Sequence, residues 1–250
     1  DTLPFIFEQD SLEIALLSAV RGEKPYIDDL RLNVIQSWAD AREGRFDEAL
    51  EAARRSRDEM LLGCLALLAG EPPSERCIPP LMIPPGAWNE YMTGDMSGGD
   101  ESIVEASALF VCGMRDRSMN SVMAVLNGAE ELSPWALSVS GGLAALAGMD
   151  SLAVMLGDSA LSLSRNPYTL LMRGSIAGTT GSPYRAVEFF SECLDISKAF
   201  NEARFQRAQY LWIIGSVDEA MEDYRLLRQL NYLMPAFESM FEWGEYFTES

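Results

Sequence analysis

The chain has 250 residues, 48% of them hydrophobic, and carries a formal net charge of −19, with 19 Lys and Arg against 38 Asp and Glu. So acidic a balance works against nucleic acid and anionic membrane surfaces, where contacts to phosphate need Lys and Arg. Histidine is absent, which removes Ser-His-Asp and Cys-His catalysis from the chain; four cysteines in no CxxC spacing argue against a zinc site.

Taken in chain order, the first signal is Asp10 with Glu13, which predicts a helix near 10–21 ended by Gly22 and Pro25. A second helical tract runs through GRFDEALEAARRS at 44–56. A third, MLLGCLALLAG at 60–70, has Gly63 seven residues before Gly70. Then six of the chain's twelve prolines fall between 72 and 85. Each removes a donor and disfavours helix at the residue before it, so 71–99 is predicted as an extended insertion. It has at most a short helix near 87–93, followed by a turn at Gly94, Gly98 and Gly99. An irregular repeat whose loop packs along the fold is favoured there over a dedicated ligand loop.

From residue 100 the pattern becomes regular. Gly113, Gly148, Gly181 and Gly215 stand 35, 33 and 34 residues apart, and Gly44 lies 69 before the first of them. Five residues after each of the four comes Ser118, Ala153, Ala186 or Ala220; seven before comes Ala106, Gly141, Gly174 or Ala208. A period near 34 with small residues locked to a turn glycine is the mark of stacked helix–turn–helix repeats. Tracts 201–214 and 217–230 are predicted as a helix pair. Ser216 with Glu219 predicts a capping box, and Ser182-Pro183 and Ser133-Pro134 predict capped starts. Beyond Pro235, a helix over 235–250 with apolar Phe237, Met240, Phe241 and Phe247 is predicted as a terminal cap, in preference to a partner site. Cys64, Cys112 and Cys193 fall among apolar helix neighbours, and Cys77 alone sits in the proline-rich stretch.

These motifs resemble the tetratricopeptide repeat family. GSVDEAMEDYRLL at 215–227 matches through Gly215, Ala220 and Tyr224, and GSPYRAVEFFSEC at 181–193 through Gly181, Ala186 and Phe190. The copy at 44–56 matches through Ser37, Gly44, Phe46 and Ala49. Departures are Val122 and Gly157 where the family has an aromatic, and Cys193 in place of an alanine. The resemblance implies an all-α superhelical solenoid of antiparallel helix pairs, irregular in the N-terminal third. It would form one domain over 1–250: an N-terminal helix and turn (1–29), irregular repeats (30–70), the insertion (71–99), regular repeats (100–232) and the C-terminal cap (235–250).

In that family the first helix of each pair lines a concave groove. The resemblance therefore puts Trp38, Phe110, Trp135, Tyr168, Phe205, Gln209 and Trp212 on or beside it, with Gly142, Ala145, Ser175 and Gly178 as hollows between. The implied function is a non-enzymatic scaffold for a protein or peptide segment, basic or apolar in character, without a cofactor. Burial of the same rings between repeats is the competing reading. Arrays that clamp a carboxylate use lysines on the first helices. Here Arg173, Arg204 and Arg207 are the only cations offered, so that mode is disfavoured.

An acid/base enzyme in a helical toroid and a self-assembling subunit joined through its end helix remain as alternatives. Adjacent carboxylates such as Glu130 and Glu131 do not face each other on a helix, and GGDES at 98–102 lacks the lysine of a phosphate loop. No apolar run is long enough to span a membrane. Because the chain begins at Asp1, both a cytoplasmic protein and an envelope domain shorn of its signal or anchor stay open.

Overall fold

Helix pairs joined by tight glycine turns make up the chain. The computed structural model describes residues 29–70, 80, 82–96, 98–128 and 131–230. The predicted helix at 10–21, Cys77 and the terminal cap at 235–250 lie outside them. Among the described residues there are twelve helices: α1 (Asp29–Arg42), α2 (Phe46–Ser56), α3 (Glu59–Leu68), α4 (Pro85–Thr93), α5 (Gly98–Val111), α6 (Arg115–Asn127), α7 (Pro134–Leu146), α8 (Asp150–Leu163), α9 (Pro167–Thr179), α10 (Pro183–Ile196), α11 (Asn201–Ile213) and α12 (Val217–Gln229). From α5 onward every helix has 13 or 14 residues, whereas α2, α3 and α4 have 11, 10 and 9. The irregularity is thus confined to the N-terminal part. No helix among the described residues is long and apolar enough to cross a membrane.

One bond pattern closes the repeat turns. After α7 the Gly148 N–H donates to the Ala145 carbonyl (3.0 Å) and the Met149 N–H to Ala144 (2.8 Å). This Schellman arrangement needs a left-handed residue, and Gly148 has φ +76°, where an L side chain costs about 1–2 kcal/mol. Gly44, Gly94, Gly113, Gly181 and Gly215 repeat both bonds.

The same turns explain a failure of the predicted caps. In a Schellman turn the residue after glycine also precedes the next helix, and its backbone is already fixed by its bond backward. Ser216 sits at ψ 61° and Ser182 at ψ 63°, outside the extended region that aims a side chain at the first-turn amides. Neither caps, and the Ser216–Glu219 box does not form. Ser133, at ψ 157°, does cap, accepting the Ala136 N–H at 3.3 Å. A full capping box occurs where none was predicted: Asn166 accepts from the Thr169 N–H (3.0 Å) and Thr169 Oγ1 from the Asn166 N–H (3.1 Å).

In the described part of the predicted insertion, the short helix expected near 87–93 forms as α4. Pro85 opens α4, at a position whose N–H has no helical partner to lose. Trp88 is buried and stacks on Tyr91 with ring centroids 5.6 Å apart. Gly94 then closes the helix with the same turn as the regular repeats, and Gly98 and Gly99 fall inside α5 rather than in a loop.

Contacts divide the chain into two compact units. The first comprises 1–81, 85–95 and 104–118; the second comprises 82–84, 96–103 and 119–250. In the first, α1 packs on α2 and α2 on α3. The two landmark positions around Gly113 are bonded directly, Ser118 Oγ donating to the Ala106 carbonyl at 2.7 Å. Buried Asp40 is held by Gln36 (2.8 Å) and Arg45, and these donors keep its carboxyl below the usual range.

In the second unit α7 pairs with α8, α9 with α10 and α11 with α12. Helix α9 also packs on α7 and α8, and α11 on α9 and α10. Small landmarks set these approaches. A Cβ on Gly141 would come within 3.1 Å of the Ala153 carbonyl oxygen, and one on Gly174 within 2.5 Å of the buried Phe190 ring. Gly174→Ala is therefore expected to destabilise the protein by about 1–3 kcal/mol through overpacking, although alanine favours helix. A lowered midpoint in urea unfolding checks this.

Candidate partner-binding face

Tetratricopeptide-like landmarks require the small residue of each first helix to receive the aromatic of the second. Gly174 on α9 meets Phe190 of α10, and Ala208 on α11 shares a buried cluster with Tyr224 of α12. Together with the 34-residue period and the glycine turn, this decides the architecture. The helix pairs pack in a tetratricopeptide-like arrangement.

No family model matches the sequence, and no curated protein matches it. Several solved structures are similar in fold, among them these three. Two are crystal structures of MamA, each 13% identical: one spans 80% of this chain and 92% of its own (TM-score 0.45), the other 79% and 88% (0.44). The third is a tetratricopeptide repeat protein from Parabacteroides merdae, 15% identical over 80% of this chain and 79% of its own, with a TM-score of 0.49.

In the tetratricopeptide register, the first helices of the second unit are α7, α9 and α11. Tyr168 stands in the first turn of α9, half-buried, and its hydroxyl donates to the Met82 carbonyl at 2.5 Å. Desolvation there pushes the phenol well above its ordinary range. The Met82 side chain lies over Gly142 of α7, where an added Cβ would be 2.5 Å from its sulfur and 3.0 Å from Met172 Cε. Ile83 is only 6% exposed. The Gly142 hollow is thus already filled by a segment remote in sequence. Gly178 is filled too, by the Tyr210 ring, which stacks on Phe190 at 5.9 Å. Ser175 is bonded to its neighbours, donating to Gln206 at 2.7 Å, and Gln206 donates in turn to Glu202 at 2.8 Å.

Of the remaining candidates in this unit, Trp135 and Gln209 are half-buried. Phe205 and Trp212, also half-buried, pack against the α11–α12 cluster, and Phe205 meets Tyr224 edge-on at 6.5 Å. Ile213, beside Trp212, is 65% exposed. The other two candidates belong to the first unit. There Trp38 is 4% exposed beneath Gly113, and Phe110 is 3% exposed with the Arg115 guanidinium 5.3 Å from its ring centre, so both rings serve the core.

The cations are engaged internally. Asp223 on α12, its side chain 4% exposed, accepts from Arg207 Nε and Nη2, both at 2.7 Å, and from Arg204 at 3.3 Å. Its carboxylate raises the Arg207 guanidinium further above its already high value. Arg173 donates to Asp158 at 2.7 Å and lies 5.0 Å from the Phe189 ring centre.

Asp158, Leu161 and Ser162 of α8, Arg165 of the α8–α9 connection, and Arg185 and Phe189 of α10 line an open cavity of about 340 Å³ that periodicity did not reveal. Arg165 is paired there with Glu192. No group of three or more acidic or Cys side chains among the described residues is placed to hold a metal ion.

Removing the anion of the Arg204–Arg207–Asp223 group leaves two largely buried guanidiniums without their shared carboxylate. Asp223→Ala is expected to cost about 3 kcal/mol. Chemical unfolding of the variant checks this; a loss under about 1 kcal/mol would mean that water replaces the carboxylate.

Proposed function

We propose that the protein is an interaction scaffold that holds a partner's segment against the first-helix face of its second unit. Trp135, Tyr168, Phe205, Gln209 and Trp212 are the contact residues on that face. The observation that carries the reading is how its groups are used: successive first helices keep half-buried aromatic rings there, while their arginines are bound to Asp158 and Asp223. What is left to offer a partner is aromatic and apolar surface, with Ile213 at its edge. Such rings are rigid, large and cheap to order, which suits them as anchors. A carboxylate clamp is correspondingly disfavoured, because each available guanidinium already has an anion.

Catalysis has less support. Among the described residues the buried carboxylates are each occupied: Asp40 with Gln36 and Arg45, Asp100 with the Ser133 N–H at 3.1 Å, and Asp223 with two arginines. A general acid or base needs a carboxyl free to exchange its proton with a substrate.

The test is the affinity of a partner recovered from the source organism. Trp135→Ala and Trp212→Ala are each expected to weaken binding about tenfold or more while far-ultraviolet circular dichroism stays unchanged. Unchanged affinity in the folded double variant would overturn the reading.

A further inference from the structure

We infer that Met82–Pro84 is a built-in occupant of the first-helix face, and that the partner displacing it carries an extended, proline-flanked apolar segment. This rests on the scaffold reading above and specifies its ligand. The tripeptide clusters with the second unit, although Pro85, which follows it, clusters with the first. It is held as a bound peptide would be. Tyr168 receives its backbone through one hydrogen bond, and the Met82 side chain enters the hollow that the missing Cβ of Gly142 leaves beside Met172.

The chemistry of the seat follows from these contacts. Pro80, Pro84 and Pro85 flank Met82 and Ile83, so much of this stretch has carbonyls to offer but no N–H groups. A lone phenolic donor suits such a segment. Pro84 and Pro85 also bias Ile83 and Pro84, the residues before them, to extended backbone, so little freedom is lost there on docking. The Gly142 hollow takes a long, unbranched side chain, and methionine adapts to it through three rotatable bonds. No cation or anion takes part, so a partner's charge affects its approach and not this seat.

The occupant is also held under strain. Met82 has φ +68°, a left-handed conformation that only glycine adopts freely. A partner peptide without that constraint can replace it. Until then the tethered segment competes at a high effective concentration and lowers the apparent affinity for any ligand of the seat.

A fluorescein-labelled peptide of residues 80–86, PLMIPPG, tests this by anisotropy against the full chain. Met82→Ala is expected to bind it about tenfold more tightly than wild type, and adding Gly142→Leu, which fills the hollow, is expected to abolish the gain. Met82→Gly removes the same side chain while relieving the strained backbone, so a folding defect in the alanine variant does not end the test. Equal affinity in wild type and both Met82 variants would show a structural strap and overturn the inference. Panning random heptapeptides on the opened variant separates the two readings. Enriched peptides without proline or long apolar residues, lost on Gly142→Leu, would overturn this inference and leave the scaffold standing. No enrichment at all would overturn both.

Discussion

The close approach of paired helices at side-chain-free positions governs the rest of this molecule. At Gly141 the backbones of α7 and α8 come so near that a methyl group would sit 3.1 Å from one carbonyl oxygen and 3.3 Å from the Gly157 amide nitrogen. Helices at that separation exclude water between them and let the aromatic of a second helix reach across, as Phe190 reaches Gly174. The turn must then reverse the chain in few residues, which the left-handed glycine and its two backward hydrogen bonds accomplish. Everything downstream, including which residues of α9 face α7 and which face solvent, is set by that geometry.

The regular repeats were legible because neither requirement has a substitute. No side chain larger than Ala or Ser fits the landmark positions, and only glycine closes the turn without strain, so the period is written plainly from Gly113 to Gly215. Of the predicted capping serines, Ser182 and Ser216 fail for the same reason: the chemistry is right, but the turn before each has already fixed its backbone, whereas Ser133 follows no such turn and caps. Gly94 was legible as a turn but not as a repeat landmark. It makes the same turn, with Ala87 seven residues before and Gly99 five after, but stands 24 residues from Gly70 and 19 from Gly113, out of step with the period.

The candidate face was only half legible. Register places Tyr168 and Gly142 on first helices, and the structure keeps them there. It does not reveal that the chain brings Met82 to them from 86 residues away, a contact that no local pattern encodes. Trp38 and Phe110 differ from the other candidates in burial: they are only 4% and 3% exposed in the first unit, where the rings of the second unit stay half-buried.

The departure at Gly157 ties packing to charge. Where the repeat pattern has an aromatic ring, α8 has no side chain, and a Cβ there would lie 2.7 Å from Arg173 Cδ. The arginine stem occupies the ring's place. Its head passes on to the exposed Asp158 and lies over Phe189, so the apolar stem packs while the charge stays paired near solvent. A chain with 19 basic residues and twice as many acids has few guanidiniums to spare. Pairing Arg173, Arg204 and Arg207 with Asp158 and Asp223 inside the helix pairs removes positive charge from the first-helix face and leaves its surface aromatic and apolar.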